Sequence, residues 1–340
     1  MVILLGVLDG GAGPAQQTTV CPSGCPFSSI QQAINGATAG GTITIGAGEY
    51  SENIIILKSI KLIGVGQDQV KITGGIFIGG VNIRIALEGF TLTKGTGIIA
   101  IGVLELKMSN LTVLGHLGDG ISLRDFTQAK LTNVIVAKNG MSGIVLSESA
   151  QAHLEAVVAQ ENALDGVACF GESIPTIDTN SKLITNGANG LFVAGSCNAF
   201  VENVASFGNG NAQAALLAFG YPRFCGITVV ENAQAEVAQA TLSGNKEAGL
   251  CIGGPSSVNI DPAVSTKVHV RSSTISENEG HGVIAGNATK TQDQTTAVLE
   301  NNAILNNKGC GIFKDFENVQ ITLTENTISG NAGGEVCEAK

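Results

Sequence analysis

Few side chains in this sequence could do chemistry in a setting that distinguishes them. Tyr221 and Arg223 stand in "FGYPRFCG", Asp261 in "GGPSSVNIDPAV", and Lys290 and Asp293 in "GNATKTQDQTT", three stretches that lengthen an otherwise regular pattern. A guanidinium can clamp a carboxylate or sulfate with paired hydrogen bonds, and a tyrosine ring can stack on a sugar. These five are the expected ligand contacts. His281 is a further candidate: it lies between Gly280 and Gly282 in "SENEGHGVIAG", where an imidazole could act as acid or base. Asp119 and Asp165, each followed by glycine, could belong to a calcium site or could be plain turn residues facing solvent. No loop offers an unmistakable acid–base pair, although residues distant in sequence can converge.

Eight cysteines are the second reactive set, and an even count suits an oxidising compartment. Cys21 and Cys25 in "CPSGCPF" lack the second pair that zinc requires, so a local disulfide is expected there and no metal. Cys169, Cys197, Cys225 and Cys251 follow at intervals of 28, 28 and 26 residues, and Cys337 follows Cys310 by 27. Those intervals are close to the repeat described next, so neighbouring turns could be stapled. Buried thiols packing as small apolar groups are the alternative.

What must position these residues is a repeat. Short apolar strands open on Gly120, Gly143, Gly166 and Gly190, spaced by 23, 23 and 24 residues, and again on Gly249, Gly282 and Gly311. Four residues before each glycine stand His116, Asn139, Asn162, Asn186, Asn245, Asn278 and Asn307. Asparagine tolerates the left-handed backbone of sharp turns, and its amide can hydrogen-bond along a stack. Units of this length with three- to five-residue strands leave no room for a helix and are the coils of a parallel β-helix. In the glycine-opened column His281 shares its place with Asp119, Ser142, Asp165, Asn189, Ala248 and Cys310, which reads as a permissive turn position.

The first coil needs a lid. "FSSIQQAINGA" supplies one: Ser28 and Gln31 read as a capping box, and Ile30, Ala33, Ile34 and Ala37 share a helix face. The reading is one all-β, single-stranded parallel β-helix over 27–340 with a short N-terminal capping α-helix, preceded by a segment 16–26. Residues 1–15 read as the remnant of a secretory signal, with an apolar run from Val2 to Leu8 and small residues at Gly13 to Ala15. No apolar run approaches the roughly 18 residues of a membrane span. A net charge of −10 with no basic block argues against nucleic acid, and it would repel an anionic polysaccharide unless a local basic patch or cations compensated.

The run Phe27 to Gly66, "FSSIQQAINGATAGGTITIGAGEYSENIIILKSIKLIGVG", resembles the opening of secreted right-handed parallel β-helix proteins of the pectin-lyase-like superfamily, and the later Asn/Gly coils resemble their repeats. The resemblance spans nearly the whole chain after the signal and implies the fold. It implies no single activity, because that superfamily includes lyases, hydrolases, esterases, epimerases and proteins without a known reaction. Polygalacturonases share a Gly-His-Gly, but their Asn-Thr-Asp, Asp-Asp and Arg-Ile-Lys are absent here. The pectin methylesterase Arg-Pro-Trp is absent too, and the epimerase Asp-Pro-His is met only by Asp261-Pro262, with Ala263 following.

Insertions stacked on consecutive coils would wall a groove, and grooves bind extended chains. The expectation is therefore a secreted, periplasmic or cell-surface protein that binds a polysaccharide or cell-envelope component without a cofactor. The alternative is a polysaccharide lyase or hydrolase with a divergent site, calcium entering only in the lyase case. Carboxylates within hydrogen-bond reach of an Arg or Lys would favour the enzyme; a lining of Ser, Thr and Asn alone would favour binding.

Overall fold

The computed structural model describes residues 17–212, 223–253, 265–286, 294–315 and 319–339. Over these residues the chain winds into stacked coils joined by parallel pairing into two long sheets, A with 22 strands and B with 12. A representative coil gives Gln151–Glu155 and Val158–Gln160 to sheet A and Val167–Cys169 to sheet B. The next repeats it with Ile174–Asp178, Lys182–Ile184 and Leu191–Val193. The glycine spacing sets the register: Ile144 pairs with Val167, and Val167 with Leu191.

That register makes the interior continuous. Leu131, Leu154, Ile177, Val201, Val237, Val270 and Leu299 form one column, none more than 2% exposed. Burying one such aliphatic side chain contributes about 1.5–3 kcal/mol. A lone coil cannot bury its inward face, so the stack is the stable unit.

Coils bend at three corners where a residue adopts a positive φ, the one after sheet B carrying Asp125, Glu148, Gly171 and Gly195. Asn133, Ala156, Asn203, Gln239 and Asn301 do so at the corner within sheet A, and Lys138, Glu161, Thr185, Glu277 and Asn306 at the corner ahead of sheet B. The asparagines of the repeat come one position after this second set and do not share its conformation. The left-handed role expected for them therefore belongs to the preceding residue, and the asparagines serve through hydrogen bonds. Asn139 Nδ2 donates to Asn162 Oδ1 at 2.9 Å and Asn162 Nδ2 to Asn186 Oδ1 at 3.0 Å; the row continues through Asn209, Asn245, Asn278, Asn307 and Asn331. Each rung's oxygen also accepts the backbone N–H of the rung before it, as Asn162 does from Asn139 at 3.2 Å. The remaining amide hydrogen reaches a carbonyl, from Asn162 to Val136 at 3.2 Å.

His116 opens the row, donating its N–H to Asn139 Oδ1 at 3.0 Å. Its Nδ1 accepts the Gly97 N–H at 3.0 Å, so Nε2 carries the proton that faces Leu92 O at 3.3 Å. Burial holds this imidazole below its ordinary pKa, outweighing the upward pull of the Leu92 and Gly95 carbonyls.

The lid is the helix Ile30–Gly36, with Ile30, Ala33 and Ile34 buried on the first coils. Its cap is Ser29, whose side chain accepts the Gln32 N–H, so the expected Ser28–Gln31 box is displaced by one residue. The cause is Glu52 in the coil beneath. Its carboxylate takes the N–H groups of Ile30 and Gln31 at 2.8 and 3.0 Å and the Ser29 hydroxyl at 2.7 Å, satisfying the helix's orphan donors. Gln31 is left free to bond both backbone groups of Ile55 at 2.7 and 3.2 Å, closing the first edge of sheet B as a strand would. The stack also starts before residue 27: Gln17–Val20 pairs with Gly41–Ile45.

All eight cysteines are paired, Cys21–Cys25, Cys169–Cys197, Cys225–Cys251 and Cys310–Cys337, which removes the free-thiol alternative. The last three join neighbouring coils. Among the described residues no helix is long and apolar enough to cross a membrane.

Candidate functional site

Strand pairing places Asp119, Ser142, Asp165, Asn189, Cys225, Ala248, His281 and Cys310 in one column at the leading edge of sheet B. The column is not indifferent to residue type, contrary to its reading as a permissive slot. Asp119 Oδ1 accepts the Ser142 N–H at 3.0 Å, Asp165 Oδ1 the Asn189 N–H at 3.0 Å, and Asn189 Oδ1 the Cys225 N–H at 2.8 Å. His281 Nδ1 accepts the Cys310 N–H at 3.1 Å in the same way. Asp119, Ser142, Asp165, Asn189 and His281 are acceptors here, while Cys225, Ala248 and Cys310 keep the column permissive in part. The two aspartates lie two coils apart with Ser142 between them, each holding a neighbouring coil, an arrangement unlike a calcium cage. Burial pushes the Asp119 carboxyl above its usual range, against the pull of Ser142 N–H and Arg124.

Beyond Asn189 the column loses its polar acceptors at Cys225 and Ala248, and a charged cluster covers these coils. Arg223, just ahead of the strand Cys225–Val229, donates through Nη1 to Glu247 at 2.8 Å and through Nη2 to Asp315 at 3.2 Å and to Gly286 O at 3.4 Å. Glu247 precedes the strand Ala248–Ile252 and also accepts the Phe224 N–H at 2.9 Å. Asp315 follows the strand Cys310–Lys314. One guanidinium thus ties a carboxylate from the leading edge of sheet B to one from its trailing edge, the second lying 92 residues from Arg223 in sequence. All three side chains are largely shielded, at 12, 20 and 18% exposure, and Arg223 Nε is buried with no partner among the described residues.

Two features brace the cluster. The Cys225–Cys251 sulfurs lie within 4.8 Å of a Glu247 oxygen; spent on a disulfide, they fix the coil and do not make a metal cage. The His281 ring stacks on Phe313, centroids 4.6 Å apart. Burial holds His281 below its ordinary pKa, opposed by the charges of Glu247 and Asp315 and assisted by Arg223. The ring is therefore a neutral neighbour of the cluster.

Of the five expected ligand contacts, only Arg223 lies among the described residues; Tyr221, Asp261, Lys290 and Asp293 lie outside them. Their segments attach at this cluster all the same. Residues 213–222 end at Arg223, 254–264 begin after Gly253, 287–293 after Gly286 and 316–318 after Asp315. Of the three that lengthen their coils, 254–264 and 287–293 leave from the trailing ends of sheet B strands, as insertions on one side would, and 213–222 enters at the leading end. Glu247 and Asp315 were missed because nothing in their local sequence is unusual. No signal in the sequence marked them, because they meet Arg223 only through the stacking of distant coils.

The profile described as a right handed beta helix region matches residues 39–181 and 74–338. No curated protein sequence matches the chain. Among solved structures, the mannuronan C-5 epimerase AlgE4 A-module of Azotobacter vinelandii superposes with a TM-score of 0.54 at 17% identity, covering 91% of this chain and 92% of that one. Pectate lyase Pel9A gives 0.57 at 14%, covering 94% and 80%. The catalytic unit of the GH87 α-1,3-glucanase from Streptomyces thermodiastaticus strain HF3-3 gives 0.56 at 12%, covering 96% and 66%. At such identities the likeness is one of fold.

Proposed function

The chain belongs to the right-handed β-helix family, and we propose that it is a secreted or envelope-associated protein that binds an extended polysaccharide across sheet B at Arg223, Glu247 and Asp315. One observation carries the reading: the only described Arg bridging two carboxylates from opposite edges of a sheet stands where the three lengthened stretches of sequence join the coils. Tyr221, Asp261, Lys290 and Asp293 belong to those stretches and are the proposed flanking contacts. The neighbours named above, by their titles an epimerase acting on mannuronan, a pectate lyase and an α-1,3-glucanase, support a polysaccharide as the ligand class.

A second reading, catalysis, is favoured by the carboxylate pair itself. Two carboxyl groups near one guanidinium are the parts of acid–base cleavage of a glycosidic bond, with one protonating the leaving oxygen and the other activating water. No described residues fit a calcium set at the cluster, so the lyase form of this reading has less to support it. Screening the purified protein against a polysaccharide panel, for retention and for release of reducing ends or unsaturated uronate, tests both. Retention lost in Glu247→Gln without product release supports binding; product release abolished by the same variant supports catalysis. A chain that neither retains nor cleaves any of the panel overturns the proposal.

A further inference from the structure

Sheet A carries a feature unrelated to the cluster. One column on its outward face, with one residue per coil, runs Lys107, Lys130, His153, Thr176, Phe200, Glu236, His269 and Val298. At about 4.8 Å per coil the column is roughly 34 Å long. Three hollows of about 400, 120 and 270 Å³ follow it in order. The first and second share Thr176, and the second and third share Phe200 and Glu236, so they form one trough running along the axis.

We propose that this trough is a second binding site, for an extended neutral polysaccharide. Phe200 lies at its middle with 40% of its surface exposed and with polar neighbours, Thr176 and Glu236, above and below in the column. An aromatic face left open between hydrogen-bonding groups suits the apolar face of a sugar ring. Asn198 and Gln234 on one side, and Asp178 and Glu202 on the other, supply partners for hydroxyl groups.

Charge selects a neutral ligand. In the hollows around Phe200, Asp178, Glu202 and Glu236 face Lys267 and Arg271; in the remaining one, Glu105 faces Lys107 and Lys130. Four acidic residues thus meet four basic ones in a chain whose net charge is −10. Many are already paired: His269 lies 3.1 Å from Glu236 and 3.2 Å from Glu300, His153 2.8 Å from Asp178, and Lys130 2.9 Å from Glu155. An extended peptide held by main-chain pairing is disfavoured, because the strands spend their N–H and C=O groups on neighbouring coils and present only side chains to the trough.

The test is affinity electrophoresis of the intact chain in gels containing laminarin, hydroxyethyl cellulose or dextran, with polygalacturonate as the anionic comparison. At least one neutral glucan should retard the protein, with little change on adding salt. Phe200→Ala should weaken that retardation tenfold or more with an unchanged denaturation midpoint, Phe200→Tyr should preserve it, and Glu247→Gln should leave it intact. No retardation by any neutral glucan overturns the trough, as does retardation that survives Phe200→Ala. Retardation lost in Glu247→Gln but kept in Phe200→Ala would assign the ligand to sheet B, sinking this proposal and sparing the other.

Discussion

Two columns run beside each other along the edge of sheet B and differ in how strictly they choose residues. The inner one is asparagine from Asn139 to Asn331; the outer one holds Asp, Ser, Asn, Cys, Ala and His. Both join neighbouring coils through a side chain and a backbone N–H. The difference lies in the number of bonds required. A ladder residue must accept and donate at once, as Asn162 does with Asn139, Asn186 and Val136, and only an amide does both in that space. An outer residue need only accept, so a carboxylate, a hydroxyl or an imidazole serves. Where the outer column gives up polar acceptors altogether, at Cys225 and Ala248, the coil surface carries the charged cluster instead.

The largest effect should come from breaking the stricter column. Asn162→Ala leaves the Asn139 N–H and amide without their acceptor and Val136 O without its donor, all in the interior. A loss of about 3 kcal/mol is expected, from unsatisfied buried groups at about 1–3 kcal/mol each, read as a lower denaturation midpoint. Asn162→Asp should also destabilise, since it turns a donor toward Asn186 Oδ1 into an acceptor. The matching change in the outer column, Asp119→Asn, keeps its acceptor and should stay within about 0.5 kcal/mol. Equal losses for Asn162→Asp and Asp119→Asn would dissolve the distinction.

Next in size is the cluster. Arg223→Met leaves Glu247 and Asp315 facing each other, partly shielded from water. Removing one partner of a buried pair costs about 3–5 kcal/mol, so about 2 kcal/mol is expected at this lesser burial. A variant as stable as the parent at pH 7 would mean the guanidinium holds nothing together.

These contrasts mark what could be read from sequence. The fold was legible because each coil repeats one demand: an asparagine at 23- or 24-residue spacing and a glycine four residues later cannot recur by accident of composition. The neighbouring-coil disulfides were legible as possibilities for the same reason. The left-handed corners were misplaced by one residue, since Lys138, Glu161 and Thr185 carry no glycine-like signature and are held there by their neighbours' bonds. The cluster was half legible. Arg223 stands in an irregular stretch, but Glu247 and Asp315 meet it only through the stacking of distant coils. The trough on sheet A was invisible, because it takes one unremarkable residue from each short strand.

A pH measurement separates the two columns further. His116 takes the first ladder position as a neutral ring with a lowered pKa. A folded-state value below the unfolded one means that the unfolded chain binds the proton first as pH falls. The contribution is complete above the ordinary histidine value near 6.5 and is lost on acidification through the window beneath it. His116→Asn extends the amide row by one rung and removes that titration. Its stability should therefore decline less between pH 7 and pH 5 than the parent's; an unchanged decline would assign the acid sensitivity elsewhere.

The smallest expected effect concerns the histidine at the cluster. If the outer column asks only for an acceptor, His281→Ser should cost about 0.5 kcal/mol, the loss of a ring stacked on Phe313 rather than of a bond, within the range of mild substitutions. Ser142 already plays this part, its hydroxyl accepting the Asp165 N–H at 3.4 Å. His281→Leu, closer in bulk to the imidazole, leaves the Cys310 N–H without a partner and should cost about 1–3 kcal/mol. The order serine before leucine is the point of the experiment, because packing alone would reverse it. Retention on a polysaccharide held at the sheet B cluster should survive His281→Ser and fall in Glu247→Gln. If serine instead proved the worse replacement, and retention or cleavage failed with the histidine but not with Glu247, the imidazole would be a site residue and the column's acceptor rule would end at Asn189.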